Sequence, residues 1–139
     1  MRAPGPPVPF TEDHDTSGYF AAAQRGAIAV LFCRACDGPL HLPRPYCATC
    51  GSWDVHWRDV APLGHLYSWT VAEHQVHPGF PVPYTIVLVE LDEVPGVRLV
   101  GHLPGARDLT MGMPMRATFD TVRDGAVVPM WEPMQKERT

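Results

Sequence analysis

The stretch Cys33-Arg34-Ala35-Cys36-Asp37-Gly38 is answered, ten residues after Cys36, by Cys47-Ala48-Thr49-Cys50-Gly51-Ser52. This doubled pattern decides how the first third of the chain folds. A CxxC turn brings two thiols to one side of a tight hairpin. Four sulfurs converge tetrahedrally, at metal distances of about 2.3 Å, only when a second such turn folds back on the first. The chain between the pairs is long enough for that return, and Asp37-Gly38 and Gly51-Ser52 supply the permissive backbone each turn needs. The spacing is that of a structural zinc ribbon with Cys33, Cys36, Cys47 and Cys50 as ligands. Two disulfides or a lone redox CxxC are the competing readings, and neither accounts for a matched set of pairs.

Working outward, residues 27–32 read as a short apolar strand entering the first knuckle and residues 40–42 as a second strand. Pro43-Arg44-Pro45 then delivers the chain to the second knuckle, and Arg34 and Arg44 flank the site in sequence. This ribbon, residues 27–53, is too small to be stable without its metal. Upstream, residues 1–26 comprise a proline-rich arm and a helix. The helix is expected from Thr11 to Arg25, with Thr11, Asp13, Asp15 or Thr16 as its cap and Gly26 as its stop. Tyr19 and Phe20 are large aromatics on a helix of small residues, and such anchors serve cores and interfaces equally.

From Trp53 onward the pattern becomes β. Residues 55–60 alternate apolar and polar positions, and longer strands are expected at 65–72, 84–91, 97–103, 116–122 and 126–131. Pro78 to Pro83, Pro95-Gly96 and Asp124-Gly125 punctuate them. Short strands at even spacing indicate a sandwich or small barrel, and five or six of them over residues 54–133 fit an OB-type barrel, which closes most of its edges. Residues 134–139 form a tail.

With 45% hydrophobic residues the chain has enough apolar material for a core, which argues against global disorder. Sixteen prolines and twelve glycines leave room for few long helices. The formal charge of −4 counts the cysteines as neutral, and zinc-bound thiolates would make the chain more acidic still. That balance, without a basic cluster, opposes a nucleic-acid-binding module. Trp57, Tyr67, Trp69 and Tyr84 sit in strand-like segments, where core packing competes with base stacking. The N-terminal residues carry no apolar run or cleavage pattern of a signal peptide. No stretch approaches the ~20 apolar residues of a membrane span. A cytoplasmic location is expected, where thiols stay reduced and paired cysteines hold metal.

A helix ending near Gly26, the double CxxC with Pro43-Arg44-Pro45-Tyr46-Cys47, and the glycine-led strand Tyr67-Ser68-Trp69-Thr70-Val71 follow in that order. Then come Pro83-Tyr84, Leu88-Val89-Glu90-Leu91-Asp92, Gly112-Met113-Pro114-Met115 and Pro129-Met130-Trp131-Glu132-Pro133. Over about residues 15–133 this series resembles the zinc-ribbon plus OB-fold family, formerly a domain of unknown function. Its members accompany thiolases, thiolase-like acyltransferases and lipid-transfer-type aldolases. The turn at 93–96 departs from the family pattern and lengthens one hairpin. The resemblance implies a mainly β fold: a rubredoxin-like zinc ribbon, then a five- to six-stranded OB-type barrel, with one N-terminal helix. It implies a non-catalytic accessory subunit that helps assemble a partner's acyl-CoA or acyl-transfer site. One zinc ion is the expected cofactor, with a CoA thioester shared with a thiolase-like or lipid-transfer-type partner. Tyr19, Phe20, Arg44, Trp69 and Tyr84 are the candidate partner- or CoA-binding residues, being the aromatic and arginine types that anchor interfaces and phosphates.

The residues themselves also argue against catalysis by the chain alone. There is no GxSxG elbow, no GxxxxGK[ST] loop and no GxGxxG turn. A closed four-cysteine site leaves no open position for substrate. Glu73, His74 and His77 with Asp59 are the remaining candidates for a second metal or acid–base site, and they lack obvious partner ligands. Two alternatives stay open: a nucleic-acid-binding ribbon and OB module, and a stand-alone acyl-CoA-binding protein using Arg44 or Arg107 on the phosphates.

Overall fold

The computed structural model describes residues 5–134. The first four residues of the proline arm and the tail from residue 135 lie outside the described residues. The helix α1 is shorter than the sequence suggests, Ser17–Gln24. The residues before it are held by Asp13, whose carbonyl accepts the Ser17 N–H at 2.8 Å. Its carboxylate accepts the Asp15 N–H at 3.2 Å and the Thr16 hydroxyl at 3.3 Å. Side-chain bonds of this kind offer the backbone an alternative to helix, so α1 starts only after them. It stops where expected: Gly26 adopts φ +70°, which lets the Ala27 N–H return to the Ala22 carbonyl at 3.0 Å.

Strand β1, Ile28–Cys33, runs antiparallel to β2, Val55–Val60, in a register from Ile28 opposite Val60 to Cys33 opposite Val55. All six residues of β1 are buried. Alternate side chains go to opposite faces of a strand. Ile28, Val30 and Phe32 therefore join the barrel core, while Leu31 and Cys33 pack with Leu40, Cys47, Val55 and Trp57 in a second, smaller core. The strand expected at 40–42 does not form. A single bridge between Phe32 and Pro39 and the Leu40 N–H on the Leu31 carbonyl at 2.7 Å are what remain of it.

Five further strands are β3, Leu63–Ala72; β4, Tyr84–Leu91; β5, Arg98–Pro104; β6, Pro114–Thr121; and β7, Val127–Pro133. They form one antiparallel sheet in the order β5-β4-β3-β6-β7, the order of an OB barrel. The barrel thus has five strands. Residues 55–60, grouped with it from their alternation, are drawn off by β1 because the ribbon's exit runs back along its entry. Strand β4 shows the period-2 pattern cleanly, with Thr85, Val87, Val89 and Leu91 buried and the residues between them half-buried. The Thr85 hydroxyl is satisfied by the Gly105 carbonyl at 2.8 Å.

The sheet's two ends meet across Trp131, which is fully buried. A Cβ on Gly101 of β5 would lie 3.0 Å from the indole Cδ1, so bare backbone is what lets β5 approach β7. Gly64 on β3 is tighter still, since a Cβ there would overlap the Glu90 carbonyl and a Val89 methyl. Gly64→Ala should therefore cost ~1–3 kcal/mol by overpacking. Gly26→Ala meets open space and should lose only the left-handed backbone preference, about 1 kcal/mol. Denaturant unfolding of the two variants checks the ranking, and equal losses would contradict it.

Candidate functional site

The two knuckles are built alike. In the first, the Asp37 N–H bonds the Cys33 carbonyl and the Cys33 N–H bonds the Gly38 carbonyl, each at 2.9 Å. In the second, the Gly51 N–H bonds the Cys47 carbonyl and the Cys47 N–H bonds the Ser52 carbonyl, each at 2.8 Å. The equivalent positions Asp37 and Gly51 both take positive φ, 62° and 77°. The result brings together all four cysteines. The sulfurs of Cys33 and Cys50 lie 3.6 Å apart, those of Cys36 and Cys47 3.7 Å, and all four lie within 4.8 Å of one another. A regular tetrahedron with metal–sulfur bonds of about 2.3 Å has edges of about 3.8 Å, so two of the spacings are near ideal. A disulfide would need about 2.05 Å. Cys33 and Cys47 are buried, Cys36 and Cys50 exposed. The Cys50 N–H, aimed at the Cys47 sulfur, draws that thiol down to about 6 and favours its thiolate. Four such soft donors fit a tetrahedral metal ion. Among the described residues this is the one His, Cys, Asp or Glu cluster that could hold a metal.

The charge beside the site comes from a residue the sequence did not single out. Arg58 on β2 pairs with the Asp37 carboxylate. Its Nε donates to His56 Nε2 at 2.8 Å, and its guanidinium lies 4.4 Å from the centre of the Phe32 ring. Arg58 is remote from the cysteines in sequence, and only the pairing of β2 with β1 delivers it. Of the two arginines noted for proximity, Arg34 lies 3.4 Å from the Asp54 carboxylate and Arg44 is exposed.

A second feature is a cavity of about 660 Å³ on the outer face of the barrel. Tyr84, Ile86 and His102 form its floor, Tyr19, Phe20 and Phe80 its sides, and Pro6 to Pro9 of the arm part of its rim. Tyr19 packs against the barrel core and meets Phe20 edge-on at 5.4 Å. Burial pushes its hydroxyl up to about 12. The His102 ring sits 5.0 Å from Tyr84 and 5.4 Å from Phe80, and burial lowers its pKa although Asp120 opposes the shift. The fold thus brings Tyr19, Phe20 and Tyr84 to one cavity, whereas Trp69 lies on β3 and Arg44 in the ribbon, outside its lining. His102 stands alone in the sequence, and nothing in its neighbours pointed to the ring stack. The acid–base candidates do not assemble. Asp59 is held by Arg25 at 2.8 and 3.0 Å, and His77 Nδ1 accepts the Gly79 N–H at 2.9 Å.

Oligonucleotides bind OB barrels on the face of the second and third strands, here β4 and β5. That face carries Tyr84, Ile86, Leu88 and Val100, and its Arg98 is committed to Glu90 at 3.0 Å and to the Tyr67 ring at 3.8 Å. It is apolar, where phosphate tracking needs free cations. No helix among the described residues is long and apolar enough to cross a membrane.

Ribbon, barrel and sulfur site together define a class of two-core proteins in which a strand of a cysteine ribbon packs one face into the core of an OB barrel. Residues 57–120 match the family of ChsH2 C-terminal OB-fold domains. The chain belongs to the DUF35 family, to which the ChsH2 chain of that match also belongs. It superposes on a chain of the Ltp2–ChsH2(DUF35) aldolase with a TM-score of 0.80 at 34% identity, over 90% of this chain and 98% of that one. A DUF35 protein of unknown function from Sulfolobus solfataricus shares the fold, with a TM-score of 0.52 at 15% identity over 78% and 77% of the two chains. A probable enoyl-CoA hydratase alpha subunit of Thermomonospora curvata is 37% identical over 123 residues, 87% of this chain and 38% of that protein. The 3-oxo-4,17-pregnadiene-20-carboxyl-CoA hydratase alpha subunit of Mycobacterium tuberculosis is 37% identical over 103 residues, 72% of this chain and 32% of that protein. The chain therefore spans about a third of the length of these hydratase subunits.

Because burial lowers His102 below the ordinary imidazole value of 6.5, the unfolded chain takes up that proton first. Its contribution to stability is complete above 6.5 and is lost as pH falls from there toward the folded value. Thermal unfolding followed downward from neutral pH should show this slope shrink in His102→Phe. An unchanged slope would assign the proton uptake to another group.

Proposed function

We propose that this chain is a non-catalytic accessory subunit of a thiolase-fold acyltransferase, condensing enzyme or aldolase complex, helping to assemble the partner's acyl-CoA or acyl-transfer site. The observation that carries this reading is the near-complete overlap with the ChsH2(DUF35) chain of an aldolase assembled with Ltp2. The lack of an assembled acid–base or nucleophile group among the described residues supports it. The hydratase activity of the longer relatives is not carried over, since most of their length has no counterpart here. The cavity suits an acyl group or apolar surface shared with the partner. Among the described residues its lining has no arginine or lysine, so the phosphates of a CoA thioester are left to cations elsewhere, Arg44 or the partner's own.

In this reading Cys33, Cys36, Cys47 and Cys50 hold one zinc ion, closed to water and substrate. Zinc bound in this way supplies folding free energy and no chemistry. Thiolate ligation of this kind belongs to a reducing compartment, so the cytoplasm is the proposed location.

Metal analysis should find one zinc per chain, and Cys36→Ser should lose it together with the ribbon's structure. Ligands must be deprotonated to bind, so zinc should also leave as pH falls. A metal-free chain with an intact ribbon would rule the site out.

Purified alone, the chain should not turn over acyl-CoA substrates, while the thiolase-fold subunit made with it should be active and that subunit made alone inactive or insoluble. Turnover by the isolated chain at an enzymatic rate would overturn the proposal. Binding to single-stranded DNA or RNA should be weak and collapse as salt rises. A salt-resistant, sequence-dependent complex would favour the nucleic-acid module instead.

A further inference from the structure

Strand β3 is paired with β4 along its length from Gly64 to Ala72. On its other side β6 pairs with Leu63, Gly64 and His65 alone. The loop before β6 extends this by one residue, through the Leu66 N–H on the Met113 carbonyl at 2.9 Å and the Gly112 N–H on the Leu66 carbonyl at 2.7 Å. Beyond Leu66 the register shifts at Tyr67, and no strand or backbone hydrogen bond among the described residues covers that side of residues 68–72.

The ladder identifies which groups are left open. The Leu91 N–H donates across to the Val97 carbonyl at 3.0 Å, so Leu91 turns its backbone toward β5. Alternation in an antiparallel pair then turns Val89, Val87 and Thr85 the same way. Their partners on β3 are Leu66, Trp69 and Val71, which must turn away from β4. Leu66 does so visibly, toward Gly112 and Met113. Trp69 and Val71 turn their N–H and C=O groups outward with nothing opposite among the described residues.

The side chains tell the same story. Trp69 stands opposite Val87, which is fully buried, and so lies on the barrel's inner side, yet it is 36% exposed. It stands at the gap where β6 has left the sheet. Edges of this kind are commonly blunted by lysine, proline or an inward charge. Ser68-Trp69-Thr70-Val71-Ala72 carries none of these.

We propose that this edge receives an extended segment of the partner subunit as an added strand, closing the gap in the barrel and covering Trp69. The inference rests on the subunit reading above and names the surface that reading leaves open. Outward main-chain donors and acceptors in alternation select a polypeptide strand over an acyl chain or a nucleotide, and the exposed indole selects an apolar residue facing inward. The chain's own proline arm does not qualify. Its prolines lack N–H groups, and its described residues are seated elsewhere, with Gly5 against Gly79 and Pro6 to Pro9 beside the cavity.

Amide hydrogen exchange on the full chain, alone and in complex with the thiolase-fold subunit co-purified with it, tests the proposal. The amides of Trp69 and Val71 should exchange freely in the isolated chain and at least about tenfold more slowly in the complex. Val71→Pro removes one outward N–H and leaves the β4 ladder intact, and it should weaken association about tenfold or more. Trp69→Lys places a charge on the edge without touching the backbone and should weaken association likewise, which keeps the test open should the proline variant misfold. A complex that forms without protecting these two amides overturns the inference and leaves the subunit reading standing. Failure to form any complex overturns both. Protection in the isolated chain that rises with its concentration assigns the edge to a second copy and overturns the partner strand.

Discussion

Strand β1 is buried on both faces, and the rest of the structure depends on it. A strand in a small antiparallel sheet usually has one solvated face. Here one face supplies Ile28, Val30 and Phe32 to the barrel and the other supplies Leu31 and Cys33 to the ribbon. Two cores that are each marginal in size are thereby made into one cooperative unit, because neither can open without exposing part of the other. The sulfur cluster sits at the end of this strand, since Cys33 is both its last residue and a ligand candidate. Ordering of the knuckles is transmitted directly to the residues that pack on the barrel.

Ion pairs join further elements of the fold. Arg25 ties α1 to β2 through Asp59, Arg98 joins β5 to β4 through Glu90, and Arg116 joins β6 to β7 through Glu132 at 2.7 Å. Exposed pairs of this kind contribute little stability individually, but they fix register across the sheet. The apolar cavity at the β4–β5 face and the β3 edge left open among the described residues are the surfaces that the proposed partner would cover.

Much of this was legible in the sequence, and for physical reasons. The cysteine spacing stated the ribbon outright because metal geometry admits few solutions. The apolar run of residues 84–91 and the glycine and proline punctuation between the strands stated the barrel. What failed was where local signals compete with tertiary pairing. Residues 55–60 alternate like any barrel strand, and nothing local says that β1 will claim them. Residues 40–42 have strand-like composition but reach β1 at only one bridge. The helix start was obscured by four plausible caps; Thr16 takes the N-cap position without a side-chain cap bond, and Asp13 forms a turn ahead of it. The cavity was illegible for another reason. Tyr19, Phe80 and His102 are far apart in the chain, and only closure of the sheet brings them to one wall.

The two knuckles differ at one equivalent position, and the difference has a cost and a use. Gly51 adopts its left-handed backbone freely, whereas Asp37 does so against the preference of any residue with a Cβ. A glycine at position 37 would relax the turn. It would also cut a relay that runs from the first knuckle through the Asp37 carboxylate to Arg58, and from the guanidinium to the face of Phe32 in the barrel core. The second knuckle has no such connection through Gly51. One half of the sulfur cluster is thus tied to the barrel by a side-chain link that the other half lacks.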